Sequence, residues 1–584
     1  MLCKSTEKRR LLFLTVNSSY SHSSLALPLL HSACRDLTQW EWCRYDMTIQ
    51  EDVMNAVRRI RSFDCDLLVS NLYLFNRGTV LEILRRYHIL APECRIAVGG
   101  PECLGDGAQE LLAQYPWLDR VFRGEGEECF RLYLENFDLP SSLPGKILPA
   151  EGNAVFADWV SSPFPVSDPF FVTEKPFVQM ESSRGCPMKC FYCTSGGSQT
   201  RYRSLEQIRE ELRLLVSKGV KEVRMLDRTF NLPQERGTAI LRMFREEFPE
   251  MRFHLELHPQ FLNESLQQEL LQARPGQLHI EAGIQCLDQE VQRLSGRNSS
   301  VSAALEGMKF LCKRSAFETH ADLLAGLPGQ RWSHILADAA ELMKINVAEI
   351  QLEVLKVLPG TPMRHIAGAH GIKYSVSAPY DVMETGTMSL DEIGYARDLS
   401  RLLDMTYNHK KLHGFFEVLH GEKADFIPVL LKFFQQSGGS SAAVWDLKKR
   451  FLFLADFCRT FHLSKSENRL AYLWLLAGFP PEQGADTFSV KSSGIPAGAQ
   501  LFSGDPRCAG ARETRCWRFA GEDELFILAY NRTYSLNGPA ALWKVKKDYP
   551  ERKRQGIKPS PKENASPPEE TFPVSPVAPL PRIP

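Results

Sequence analysis

The sequence predicts an α/β protein built in series: a doubly wound parallel sheet, a partial (β/α)6 barrel, then a mostly helical domain. Two observations carry the first two parts. Short apolar runs alternate with amphipathic helical stretches, and they do so in two series separated by the Pro-rich segment SSPFPVSDPFF (161–171). The third part follows from a change of period: from about residue 390 the apolar spacing becomes helical, as in DEIGYARDLSRLLDMTY and FIPVLLKFFQQ.

In the first series the expected strands are 11–17, 40–45, 66–71, 95–100 and 120–124, with helical patterns such as RGTVLEILRRYH between them. Parallel strands need helical crossovers, so five strands alternating with helices imply a doubly wound sheet. Such sheets hold their ligands beyond the carboxyl ends of the strands. The loops there read VNSSYSHSS, SNLYLFN, GGPE (99–102) and GEGE (124–127). The second series has expected strands at 177–181, 222–227, 252–258, 277–285, 319–329 and 348–360, with chemistry at their carboxyl ends. The domains expected are 1–140, a linker 141–174, the barrel 175–388, the helical domain 389–548 and a disordered Pro-rich tail 549–584.

Composition narrows the function classes. Lys+Arg and Asp+Glu both total 70, which gives no field favouring nucleic acid or an anionic membrane. No run approaches the ~20 apolar residues of a membrane span. The apolar run Leu11–Val16 is shorter than the ~7–15 residues of a secretory core. Fifteen cysteines, an odd number and mostly isolated, read as free thiols plus one special group, which points to the cytoplasm.

That group is ESSRGCPMKCFYCTSGG, with Cys186-x3-Cys190-x2-Cys193. Three thiolates on one loop can each hold one iron of a [4Fe–4S] cubane, leaving the fourth iron open. The alternatives are chance and a zinc knuckle, but zinc usually takes paired C-x2-C ligands closed by a fourth Cys or His. The x3-x2 spacing is the wrong pairing for zinc, and no fourth ligand lies close by.

At these residues the chain resembles the radical S-adenosylmethionine (SAM) superfamily, and residues 10–380 resemble its cobalamin-binding branch. The resemblance implies a flavodoxin-like first domain, a redox-active cluster on Cys186, Cys190 and Cys193, and SAM on its open iron. It places Tyr192 against adenine, Asp227 (in MLDRTFN) at the SAM site, Glu281 and Gln285 at ribose or methionine, and Arg297 on the SAM carboxylate. Gly326, Pro328 and Gly329 would meet the adenine through backbone. For cobalamin it points to Asn17, Tyr20, His22, Ser70, Gly99, Gly100, Glu102, Gly124, Glu125 and Gly126. The histidine motif D-x-H-x-x-G of cobalt ligation is absent after the first strand, which leaves His22 as the one nearby histidine. A ligand-free flavodoxin-like domain is the other reading of this segment.

The resemblance implies a cobalamin-dependent methyltransferase acting on an unactivated carbon of a small molecule or peptide. Its electrons would come from a reductase such as flavodoxin or ferredoxin. The alternatives are a cobalamin-assisted radical oxidation or cyclisation, and a non-catalytic cobalamin or Fe–S sensor.

Overall fold

The computed structural model describes residues 8–313, 318–479, 490–493, 513–519, 524–530 and 541–546. The expected Pro-rich tail lies outside the described residues. The chain divides into two compact units, one ending at Arg397 and one beginning at Asp398.

The first unit opens with a parallel sheet of β1 (Arg9–Asn17), β2 (Trp40–Thr48), β3 (Leu67–Asn71), β4 (Arg95–Gly99), β5 (Arg120–Phe122) and β6 (Ile147–Leu148). Its order is β2-β1-β3-β4-β5-β6, the flavodoxin-like winding with its switch point between β1 and β3. Successive side chains of a strand point to opposite faces, and both faces here are covered. Leu12, Leu14 and Val16 pack with Ile60, Val80 and Leu84 on one side. Leu11 and Phe13 pack with Leu27, Phe130 and Tyr133 on the other.

The segment read as a linker is packed structure. It supplies the edge strand β6, and it buries Trp159 and Val166. Asp168 bonds His31 across 2.7 Å. A two-residue strand inside a Pro- and Gly-rich stretch has too few residues to show a period.

The barrel comprises β7 (Val178–Met180), then, after a hairpin of β8 (Ser183–Cys186) and β9 (Ser198–Tyr202), β10 (Glu222–Met225), β11 (Arg252–Leu257), β12 (Leu278–Gln285), β13 (Glu318–Ala325) and β14 (Glu349–Val354). The six strands β7, β10, β11, β12, β13 and β14 pair in parallel and in sequence order, and the sheet stays open. Alternation is strict on β11 to β13. Phe253, Leu255, Ile280, Ala282, Ala321 and Leu323 are buried, whereas His254, Glu256, His279, Glu281, His320 and Asp322 are only partly covered. Two expected strands were drawn too long. β13 stops at Ala325 because Gly326 turns the chain at φ +93°, and β14 stops at Val354.

The second unit, taken by itself, packs helices His413–Glu422, Phe426–Gln436, Leu447–Thr460 and Ser464–Leu476 around Phe416, Phe426, Phe434, Phe451 and Trp474. The division between the units falls within the helix Leu390–Met405. The unit also holds an antiparallel sheet of segments 490–493, 513–519, 524–530 and 541–546, which the helical reading did not anticipate.

Phe253 is 1% exposed, and its ring stacks on Phe244 with centroids 3.6 Å apart. We predict that Phe253→Ala costs about 3–5 kcal/mol of stability through lost contact and an unfilled cavity. Val376→Ala, at a site 86% exposed, should stay within about 0.5 kcal/mol. Equal denaturation midpoints for the two variants would contradict this packing.

Candidate cofactor-binding site

The loops beyond the carboxyl ends of the first sheet line a cavity of about 820 Å³. Asn17, His22, Ser70, Gly99, Gly100, Gly124, Glu125 and Gly126 all contribute. The barrel supplies the facing wall: Gln179 in β7 and Glu181 beyond it, Ser183 to Gly185 with Thr194, Ser195, Ser198 and Gln199 from the hairpin, and Leu226 and Arg228 beyond β10. One chamber is therefore bounded by two carboxyl edges. Its volume falls in the ~300–1,000 Å³ range of cofactor and ligand sites.

Glycine is required at two points of the rim. Gly100 has φ +100°, and a Cβ there would sit 2.7 Å from the Leu72 carbonyl oxygen. Gly124 has φ +93°, and a Cβ would lie 2.4 Å from the Ala154 nitrogen. The Ser70 hydroxyl donates to the Leu14 carbonyl, so it is spent on the sheet. His22 shares a 2.8 Å hydrogen bond between Nδ1 and Ser19 Oγ and meets Phe177 edge-on. Burial and the Arg224 cation both lower its pKa.

Two expected cobalamin residues do not line the chamber. Tyr20 is exposed, with Lys175 Nζ 3.5 Å over its ring. Glu102 is buried and turned towards other partners, accepting from Tyr380 Oη at 2.9 Å and Arg77 at 3.3 Å. Both partners are distant in sequence, and the GGPE pattern carries no trace of them.

Cys186 and Cys190 are each 6% exposed, and Cys193 is half-buried. The loop is seated by its aromatic pair. Phe191 N–H donates to Ser295 O, and Met363 N–H donates to Phe191 O, both at 2.9 Å. Gly196 passes so close that a Cβ would be 2.6 Å from the Cys190 carbonyl oxygen. The Tyr192 hydroxyl is buried beside Cys190 and Arg297, and burial pushes its pKa up. Among the described residues no three His, Cys, Asp or Glu side chains converge on a single ion. A cubane does not need convergence, since each thiolate takes a different iron.

Arg297 is the best-supported of the remaining SAM candidates. It is 7% exposed, with Nη1 3.8 Å from Cys190 Sγ and Nη2 3.0 Å from His258 Nε2. Its Nε has no partner. A buried donor left open is costly, so the place suits an incoming anionic ligand. The three-thiol loop, the adjacent cation and the glycine cradle together fit a [4Fe–4S] cluster with bound SAM.

Asp227 has partners of its own within the protein. Fully buried, it accepts from Ser182 N (3.0 Å), Ser182 Oγ (2.5 Å) and Ser183 Oγ (2.6 Å), so it fastens the turn that leads into Cys186. Burial raises its pKa despite these donors. Glu281 accepts from His254 Nε2 at 3.1 Å. Its neighbour Asp322 is pushed up to about 8 by burial and by the Glu281 and Glu256 charges. Gln285 has φ +69° at a bulge closing β12, the kind of backbone strain that collects at functional sites. In the Gly326–Leu327–Pro328–Gly329 turn, Gln330 Oε1 accepts from the amides of Gly326 (2.8 Å) and Leu327 (3.1 Å). Sequence reading missed Gln330, Asp322, His258 and Arg184. Gln330 follows directly on the Gly326–Gly329 turn and Arg184 lies within the cysteine motif itself, so both were within reach of it.

Residues 180–342 match the radical SAM superfamily, and residues 368–476 match a family described as a protein of unknown function, DUF4080. The chain is 22% identical over 336 residues to an uncharacterized methyltransferase of Pyrococcus horikoshii, covering 54% of this chain and 72% of that one. It is 25% identical over 276 residues to a hopanoid C-3 methylase of Methylococcus capsulatus, covering 44% of this chain and 53% of that one. Among solved structures it is similar to the radical SAM methyltransferase TsrM of Kitasatospora setae with cobalamin and a [4Fe–4S] cluster bound. That match has a TM-score of 0.52 at 16% identity and covers 64% of this chain and 82% of that one. Residues 180–342 thus form a domain of the radical SAM superfamily. Within that superfamily the chain has the architecture of the cobalamin-dependent members, a flavodoxin-like domain followed by the open barrel. No described helix is long and apolar enough to cross a membrane.

The barrel interior carries a row of imidazoles. His254 and His279 stack with centroids 4.7 Å apart, and His320 meets His279 edge-on at 4.3 Å. His279 is pushed down to about 4, chiefly by burial and then by the His320 and His254 charges, against smaller opposing effects of Glu318 and Glu349. The native state therefore binds fewer protons than the unfolded chain between about pH 6.5 and pH 4, and stability falls as pH drops through that window. We predict that His279→Gln reduces the loss of denaturation midpoint between pH 7 and pH 4.5. An unchanged loss in the variant would contradict it.

Proposed function

We propose that the chain is a cobalamin-dependent radical SAM methyltransferase acting on an unactivated carbon of a small-molecule or peptide substrate. The observation that carries this reading is the single chamber lined by both the ligand edge of the flavodoxin-like sheet and the cysteine hairpin. When bound, the cluster and SAM supply a 5′-deoxyadenosyl radical, and the corrinoid supplies a methyl group.

The chain's own residues would hold and shield these groups. Cys186, Cys190 and Cys193 would ligate the cluster, and the open Nε edge of Arg297 would take the SAM carboxylate. Tyr192, Glu281, Gln285 and the Gly326–Gly329 turn would position the rest of SAM. Asp227 would act indirectly, by fixing Ser182 and Ser183. Asn17, His22, Gly99, Gly100, Gly124 and Gly126 would face the corrinoid. Leu25, Leu29, Leu30, Phe75, Phe122 and Leu226 give the chamber apolar wall, which keeps water from a radical. A flavodoxin or ferredoxin in the cytoplasm is the electron source proposed.

Anaerobic reconstitution with iron, sulfide and hydroxocobalamin, followed by desalting and metal analysis, tests the reading. We predict about four irons per chain with stoichiometric cobalt, and loss of iron in Cys186→Ala. Reduced protein should then release 5′-deoxyadenosine from SAM. Iron without retained cobalt would sink the cobalamin part, and a Cys186→Ala chain that kept its iron would sink the cluster assignment.

A further inference from the structure

The GEGE motif does something that ligand binding does not explain. Its two carboxylates meet one guanidinium of the cysteine hairpin where the two walls of the chamber join. Arg184 Nη1 lies 3.1 Å from Glu125 Oε2 and 2.9 Å from Glu127 Oε1, while Nη2 lies 2.9 Å from Glu181 Oε2. Arg201, on the returning strand of the same hairpin, also donates to Glu125 and to the Phe156 carbonyl. The Trp159 ring lies under both arginines, 5.1 Å from Arg184 Cζ and 5.9 Å from Arg201 Cζ. The Arg184 and Glu127 side chains are 10% and 5% exposed.

A buried network of this kind is a poor source of stability, because desolvation offsets most of the Coulomb attraction. Its better-attested use is to specify one register among several. The backbone next to it is equally fixed. Gly185 has φ +90°, and a Cβ there would sit 2.3 Å from the Gln199 carbonyl oxygen. Cys186 N–H then donates to Ser198 Oγ at 3.1 Å. A displacement of Arg184 is thus carried through two peptide units to the first cluster ligand.

We propose that Arg184, clamped by Glu125 and Glu127, is a positioning residue that registers the cysteine hairpin against the ligand edge of the flavodoxin-like sheet. It sets the separation and orientation of the cluster site relative to the corrinoid site. This role rests on the cofactor assignment above and extends it to Glu125, which the resemblance had pointed at cobalamin, and to Glu127 beside it. Small errors of register matter here, since a misplacement of about 1 Å can cost about 10²-fold in a reaction that depends on alignment.

The test uses the full chain loaded with iron and cobalamin and needs no substrate. Both the reduced cluster and cob(II)alamin are paramagnetic, so the cluster speeds the relaxation of the cobalt spin in a distance-dependent way. The microwave power that half-saturates the cob(II)alamin signal is read with the cluster oxidised and then reduced. Wild type should show a clear rise on reduction. Arg184→Lys keeps a cation but loses the planar fork, and Glu127→Gln cuts the bridge from the other side. With iron and cobalt per chain matching wild type, either variant should lose most of that rise. Full cofactor content with a wild-type rise in both variants overturns the positioning role. If one variant fails to fold, the other decides by the same criterion. Wild type that retains no cobalt overturns the underlying cofactor reading instead, a failure that the metal analysis separates from the first.

Discussion

The structure depends on the way two parallel sheets present their carboxyl edges to one chamber. Each edge alone is an ordinary ligand site for its fold. Set against one another, they enclose a volume of about 820 Å³, with glycine backbone on one wall and the cysteine hairpin on the other. Arg184 stands where the two walls meet, and its charge is matched by carboxylates from both. Further contacts hold the same pairing of domains. Glu102 binds Tyr380, Asp106 accepts from the Gly360 amide, and Gly105 approaches Gly360 so closely that a Cβ would lie 2.5 Å from its Cα.

This arrangement places unlike chemistries next to each other without mixing their supports. The three cysteines sit on a short hairpin, seated by the Phe191 backbone against Ser295 and Met363. Behind them a buried layer of Asp227, Ser182, Ser183 and Arg236 fixes the turn. The first-sheet wall combines glycine backbone at Gly99, Gly100, Gly124 and Gly126 with apolar side chains such as Leu25, Leu29 and Phe122. His22 is tied to Ser19 at the chamber wall, where burial and then the Arg224 charge lower its pKa.

Features set by local spacing were legible in the sequence. The apolar runs of β1, β3 and β4 fixed the first sheet, since both faces are buried and the strands are continuous blocks. The Cys186-x3-Cys190-x2-Cys193 loop announced itself within one turn of chain. Partners chosen across the fold were not legible. Glu102 pairs with Tyr380, far along the chain, and Asp227 turns back to Ser182 and Ser183. Spacing says that an acidic residue ends a strand, but not which donor claims it. β6 was lost for a different reason: two residues cannot display an alternation.

The central claim is that the chamber takes a corrinoid against a cluster held on the cysteine hairpin beside it. An experimental structure of the anaerobically reconstituted protein with hydroxocobalamin and SAM tests it most directly. The account predicts corrin density between the Gly99–Pro101 and Gly124–Gly126 loops, facing a cluster on Cys186, Cys190 and Cys193. A loaded cluster with the corrin bound elsewhere, or with the chamber filled only by protein side chains, would contradict it.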